Sequence, residues 1–84
     1  MVGFKFKSKK ILLLGSGELG KELVIEAKRL GLEVIAIDKY ENAPAMHVAD
    51  HSFVIDMSKK EILSQTIKEI NPDFVEPEIE SLSI

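Results

Sequence analysis

Residues 11–20 read Ile11-Leu12-Leu13-Leu14-Gly15-Ser16-Gly17-Glu18-Leu19-Gly20, four consecutive apolar residues running directly into G-x-G-x-x-G. A short continuous apolar run closed by glycine suits a strand covered on both faces, as the central strands of parallel sheets are. Between a strand and a helix, the three glycines have separate jobs. Gly15 takes the tight turn, Gly17 lets a ligand approach the backbone, and Gly20 lets the helix lie close to the sheet. From Glu18 onward the period changes to that of a helix: Leu19, Leu23, Ala27 and Leu30 recur on one stripe, and Gly31 stands where a C-terminal cap belongs. The spacing predicts a helix over residues 18–30, with that stripe as its core face.

The same alternation continues downstream. Val34-Ile35-Ala36-Ile37 forms a second buried strand ending at Asp38, and Pro44 closes the polar stretch that follows it. A short helical turn is expected over residues 45–49 and a third strand over residues 52–55. Ser58 offers an N-cap and Glu61 completes a capping box, ahead of an apolar face of Ile62, Leu63, Thr66, Ile67 and Ile70. The second helix ends near Asn71-Pro72, and Phe74-Val75 make a short fourth strand. Strands alternating with helices at these connection lengths predict an α/β fold, a small open parallel sheet of about four strands resembling half of a Rossmann fold. Right-handed crossovers and the usual reversal of direction favour the strand order 3-2-1-4. The C-terminal ends of strands 1 and 4 then meet at the topological switch point, where open α/β sheets bind ligands.

Composition narrows the function classes. A chain of 84 residues, 45% hydrophobic and 30% charged, has room for one core, so the expected organisation is a basic leader at residues 1–9 and a single domain at residues 10–84. Lys5, Lys7, Lys9 and Lys10 load the start, but the apolar stretch after them ends at Gly15 and lacks a signal-peptide cleavage site. The formal charge of −3 provides no general field for phosphate backbones, so no nucleic acid is expected as a partner. No apolar run approaches the ~18 to 20 residues that span a bilayer, and no membrane association is expected. The absence of cysteine excludes disulfides, thiol nucleophiles and zinc ribbons and fits a reducing cytoplasmic compartment.

Three readings of the glycine turn compete. A dinucleotide site would use Gly15, Gly17 and Gly20, with Asp38 on the ribose hydroxyls. Glu18 opposes this, because its carboxylate competes for the helix N-terminus that would hold a pyrophosphate and repels the phosphate as well. In the second reading Glu18 merely caps its own helix. The third involves Glu76-Pro77-Glu78-Ile79-Glu80, where the fourth strand ends. Under order 3-2-1-4, Glu78 comes close to Glu18, and two carboxylates ~5 Å apart at an effective dielectric of ~20 repel by about 3 kcal/mol. Such a pair calls for a cation, a metal, a proton or an amine between them, and a substrate amine meets that need. His47 and His51, four apart, lack a third ligand in register, so no metal site is expected. Tyr40 and the four phenylalanines are too scattered for a base-stacking platform.

Taken together, residues 11–22 through the glycine turn, Glu33-Val34-Ile35-Ala36-Ile37-Asp38, Asn42-Ala43-Pro44-Ala45-Met46-His47-Val48-Ala49 and Pro77-Glu78-Ile79-Glu80 resemble, in order, the formate-dependent phosphoribosylglycinamide formyltransferases of purine synthesis, members of the ATP-grasp superfamily. The related carboxyaminoimidazole ribonucleotide synthases share the fold and a similar connector. Their glycine turn usually carries glutamine at the position of Glu18, however, and their counterpart of Pro-Glu-Ile-Glu reads differently. The resemblance implies a pre-ATP-grasp domain, and a reaction in which ATP phosphorylates formate and the amine of glycinamide ribonucleotide attacks the formyl phosphate. It implies that Glu18, Leu19 and Glu78 bind glycinamide ribonucleotide. It also implies that ATP and Mg2+ are bound mainly by parts of the family C-terminal to Ile84. No catalytic residue, metal or cofactor is therefore expected in these 84 residues, which alone should be inactive. Two other readings stay open, a stand-alone binding module that kept the fold without catalysis and a small NAD-binding domain. An exposed apolar surface, with association into a homo-oligomer or modest stability, is expected of the isolated domain.

Overall fold

A computed structural model describes residues 8–77. Lys5, Lys7 and Glu78 lie outside the described residues. In chain order the elements are β1 (Lys10–Leu14), α1 (Glu18–Arg29), β2 (Glu33–Asp38), a 3-10 turn (Pro44–His47), β3 (His51–Val54), α2 (Lys60–Ile70) and β4 (Phe74–Pro77). All strand pairings are parallel and the order is β3-β2-β1-β4, the order that right-handed crossovers and the usual reversal of direction favour. Leu14 pairs with Ile37 on one side and with Pro77 on the other, so the ends of β1, β2 and β4 share one edge.

The pleat divides the core into two layers. Leu13, Val34 and Ala36 face α1 and the 3-10 turn, packing with Val24, Ala27 and Ala45. Leu12, Ile35 and Ile37 face the other way, with Ile55, Met57, Ile67 and Ile70 against them. The two layers are unequally closed. α1 contributes Gly20, Val24 and Ala27 as buried residues, whereas no residue of α2 is buried.

Three local expectations need correction. The core stripe of α1 is Gly20, Val24 and Ala27, one step around the helix from the leucine stripe read in the sequence. Leu19, Leu23 and Leu30 are 59%, 38% and 75% exposed, and only Ala27 is common to both stripes. The physical reason is helix-to-sheet distance. Gly20 and Ala27 are small enough for α1 to lie close on Leu13 and Val34, which leucines in their place would prevent. Second, α2 starts at Lys60 after Lys59 with no side-chain capping bond, so the Ser58 and Glu61 box does not form. The Ser58 hydroxyl and N–H both donate to Asp56 Oδ1, at 2.6 and 3.1 Å, an Asp-centred turn that competes with capping. Third, β4 extends beyond Val75 to Pro77. An edge strand tolerates proline, because the missing N–H faces no further strand.

Two polar clamps close the edge opposite the glycine turn. Lys10 N–H donates to Asp73 Oδ2 at 2.7 Å and its Nζ to the Ile70 carbonyl at 3.1 Å, satisfying a free carbonyl at the C-terminus of α2. Asn71 follows with φ +50°, the left-handed conformation common after a helix. Across the sheet, Lys28 Nζ donates to both Asp50 oxygens at 2.8 Å, and Val34 N–H donates to Asp50 Oδ2 at 2.7 Å. Asp50 thus ties the end of α1 to the start of β2.

The placement of the α1 core face predicts unequal costs for two truncations. Val24→Ala should destabilise the chain by about 2 kcal/mol, and Leu30→Ala by less than about 0.5 kcal/mol, both read by urea denaturation. Equal losses would return the core to the leucine stripe. Asp50 yields a pH prediction. The Lys28 ammonium hydrogen-bonded to its carboxylate, aided by the Val34 N–H and opposed by burial, holds it below the ordinary 3.8. A lowered folded-state value contributes stability that is complete above 3.8 and lost as pH falls through the folded value. Asp50→Asn should therefore flatten the acid limb of stability measured from about pH 5 to about pH 2.

Candidate functional site

The glycine turn is built from backbone bonds at the shared edge of β1 and β2. Gly15 adopts φ +95°, a conformation that glycine, having no β-carbon, reaches at little cost. Its N–H donates to the Ile37 carbonyl at 2.8 Å, and the Ser16 hydroxyl donates to the same carbonyl at 2.9 Å. The Ser16 N–H donates to Asp38 Oδ2 at 2.8 Å, while the Ser16 carbonyl accepts the Ala45 N–H at 2.8 Å. The chain then enters α1 at Gly17, the N-cap, whose carbonyl accepts the Lys21 N–H at 2.9 Å. The turn is thus held from three directions, by β2, by the Asp38 side chain and by the connector after β2.

This arrangement leaves Glu18 and Leu19 exposed in the first turn of α1. Among the described residues, no hydrogen bond or ion pair engages the Glu18 carboxylate. The reading in which Glu18 serves only its own helix end therefore rests on the dipole alone, with no capping bond behind it. Gly20, the third glycine, is buried where α1 meets the sheet, as expected of it. Pro77, the last described residue of β4, pairs with Leu14, immediately before the turn. Glu78 follows Pro77 in the sequence and, being outside the described residues, has no measured distance to Glu18.

Asp38 does not stand as a dinucleotide site requires. It is 7% exposed, with Oδ2 taken by Ser16 N–H and Oδ1 by Lys39 N–H at 2.7 Å. Its carboxylate is thus committed to backbone N–H groups and largely buried. The sequence reading missed this use of Asp38, and spacing carries no sign of it, because the same position serves either a ribose or the turn. His47 and His51 also separate. His47 Nε2 lies 3.1 Å from the Asn42 carbonyl, and His51 Nε2 lies 3.3 Å from a Glu33 carboxylate oxygen. Among the described residues, no group of three or more His, Cys, Asp or Glu could hold a metal ion. No helix among them is long and apolar enough to cross a membrane.

A family model, the ribonucleotide synthetase preATP-grasp domain, matches residues 8–84. The chain belongs to this family. A formate-dependent phosphoribosylglycinamide formyltransferase from Prochlorococcus marinus (strain MED4) is 82% identical over all 84 residues, which cover 22% of that protein. One from Bacillus subtilis is 55% identical over 78 residues, 93% of this chain and 20% of the relative. The chain therefore spans about a fifth of the length of the curated relatives it matches. Among solved structures, glycinamide-RNase-transformylase T from Mycobacterium tuberculosis superposes with a TM-score of 0.84 at 41% identity, over 89% of this chain and 22% of that one. N5-carboxyaminoimidazole ribonucleotide synthetase from Thermotoga maritima gives 0.77 at 33% identity, over 89% and 20%. In this preATP-grasp domain the glycine turn is followed directly by an exposed carboxylate, Glu18, and an exposed leucine, Leu19.

The backbone geometry predicts that Gly15→Ala strains the turn by about 1–2 kcal/mol, measurable as a lowered urea midpoint. An unchanged midpoint would mean that the positive φ is not required.

Proposed function

We propose that this chain is the N-terminal substrate-binding domain of a formate-dependent, ATP-dependent glycinamide ribonucleotide formyltransferase of purine synthesis. The observation that carries the reading is Glu18, a carboxylate without a partner among the described residues, fixed at the start of α1 beside the end of β1. High identity to formyltransferases over the whole chain supports it. In this reading Glu18, Leu19 and Glu78 hold glycinamide ribonucleotide, the two carboxylates taking its amine.

The intact enzyme would use ATP, with Mg2+, to phosphorylate formate, the formate oxygen attacking the terminal phosphorus with release of ADP. The amine nitrogen then attacks the carbonyl carbon of formyl phosphate, and phosphate leaves. In this reading ATP and Mg2+ would be held outside these 84 residues, and this chain's part is to bind and orient the amine. A carboxylate at the amine can also accept the proton that the nitrogen loses. Attack requires the neutral amine, so the pair must hold the nitrogen in place without fixing it as ammonium. The same reading places the protein in the cytoplasm, with glycinamide ribonucleotide and formate as its substrates. The buried Asp38 weighs against the NAD alternative.

Titration of glycinamide ribonucleotide, NAD and ATP into this chain tests the reading, with calorimetry or NMR shifts as readout. Glycinamide ribonucleotide should bind in preference to NAD, and Glu18→Gln and Glu78→Gln should each weaken it by about tenfold or more, the order of one hydrogen bond to a charged group. Preference for NAD, or full binding by both variants, would overturn the assignment.

A further inference from the structure

We propose that Asp38 is a positioning residue of the amine site, acting through the backbone of the glycine turn; the inference rests on the substrate-binding reading above. Ser16 and Asp38 are the buried polar residues of the described core, at 0% and 7% exposure, and they are bonded to each other. A buried carboxylate is unfavourable unless hydrogen-bonded, and no ion pair to Asp38 occurs among the described residues. Its partners are backbone N–H groups at two separate points of the chain, Ser16 before α1 and Lys39 after β2.

Two donors converging on one buried side chain require two acceptors. Aspartate supplies both. Asparagine supplies one acceptor and an amide N–H2 that would face an N–H, so the exchange keeps shape and volume but breaks one of the two bonds. The bond to Ser16 is the one that matters for the site. Ser16 lies two residues before Glu18, and its N–H is a point at which the Asp38 side chain grips the turn. Asp38 is itself anchored in β2, where its carbonyl accepts the Ile55 N–H at 2.9 Å. The carboxylate therefore transmits the position of the central sheet to the turn that presents Glu18. Holding an amine at Glu18 is sensitive to this placement, because small displacements of an orienting group carry large penalties.

Asp38→Asn tests the role, with Asp50→Asn as a matched control. Asp50 also accepts a backbone N–H, from Val34 at 2.7 Å, but at the far end of the same strand. Both variants should lower the melting temperature. Only Asp38→Asn should weaken glycinamide ribonucleotide binding, by about tenfold, and speed amide hydrogen exchange at residues 16–18. Full binding by Asp38→Asn and by Asp38→Ala, which removes both acceptors, in a chain where Glu18→Gln has lost it, would overturn the positioning role and leave the substrate-binding reading intact. Failure of Glu18→Gln to weaken binding, or no binding by the unmodified chain, would overturn both. Should Asp38→Asn not fold, the unmodified chain decides by exchange alone. Saturating glycinamide ribonucleotide should slow exchange of the Ser16 N–H more than that of the Val34 N–H, and equal slowing would overturn the role.

Discussion

The bond from the Ser16 N–H to the Asp38 carboxylate joins the two strands that define this fold to the turn that defines its site. β1 delivers the chain to the turn, β2 ends in the residue that holds it, and Ile37, one step earlier, accepts from both Gly15 and Ser16. The turn is therefore set by the register of the β1 and β2 pair, in which Leu14 lies opposite Ile37. That register is strongly specified. Leu13, Val34 and Ala36 on one face and Leu12, Ile35 and Ile37 on the other bury alternate residues in separate layers, and a one-residue slip would exchange the layers. Packing in the middle of the sheet thus determines geometry at its edge.

Charge gives the turn its chemical character. A helix N-terminus following a glycine turn ordinarily suits an anion, because free N–H groups and the positive end of the dipole face it. Here Glu18 occupies the first turn, and Asp38 already accepts the N–H that precedes the cap. Two carboxylates at one positive pole leave less of it for a phosphate, and the exposed one is available to a cationic or hydrogen-bond-donating group. The pattern G-x-G-x-x-G is shared with dinucleotide sites because glycine solves the same backbone problem in both. The side chains around it decide what binds.

Much of this architecture is legible in the sequence, for identifiable reasons. Apolar runs closed by Gly15 and Asp38 mark strands buried on both faces, and short connections with right-handed crossovers leave few strand orders. The face of α1 is not legible in the same way. Leucine outweighs glycine and alanine in any count of hydrophobicity, whereas close packing selects the small residues, so Leu19, Leu23 and Leu30 claim a face that Gly20 and Ala27 occupy. The start of α2 misleads for a related reason. Ser58 suits an N-cap, but Asp56 two residues earlier offers its hydroxyl and N–H a nearer acceptor. Of the proposed site, Glu18 stands out by its charge at the glycine turn, and Leu19 enters only through the family resemblance. The role of Asp38 cannot be read from the sequence, because a side chain bonded to distant backbone leaves no periodicity.

The misread leucines also bear on the site. Leu19 stands next to Glu18 and is 59% exposed, an unfavourable position for a leucine that contributes nothing to the core. Beside a carboxylate it has a physical consequence once a ligand is present. In the proposed amine site, an apolar side chain near the carboxylate would exclude water, and exclusion lowers the effective dielectric, so the attraction between carboxylate and amine would grow. A polar residue at the same place would keep the pair hydrated and the contact weak. Glu18 alone, exposed to solvent, would hold an amine weakly. In the proposed amine site, Glu18 with Leu19, on a turn held by Asp38, would favour an amine over the solvent that competes with it.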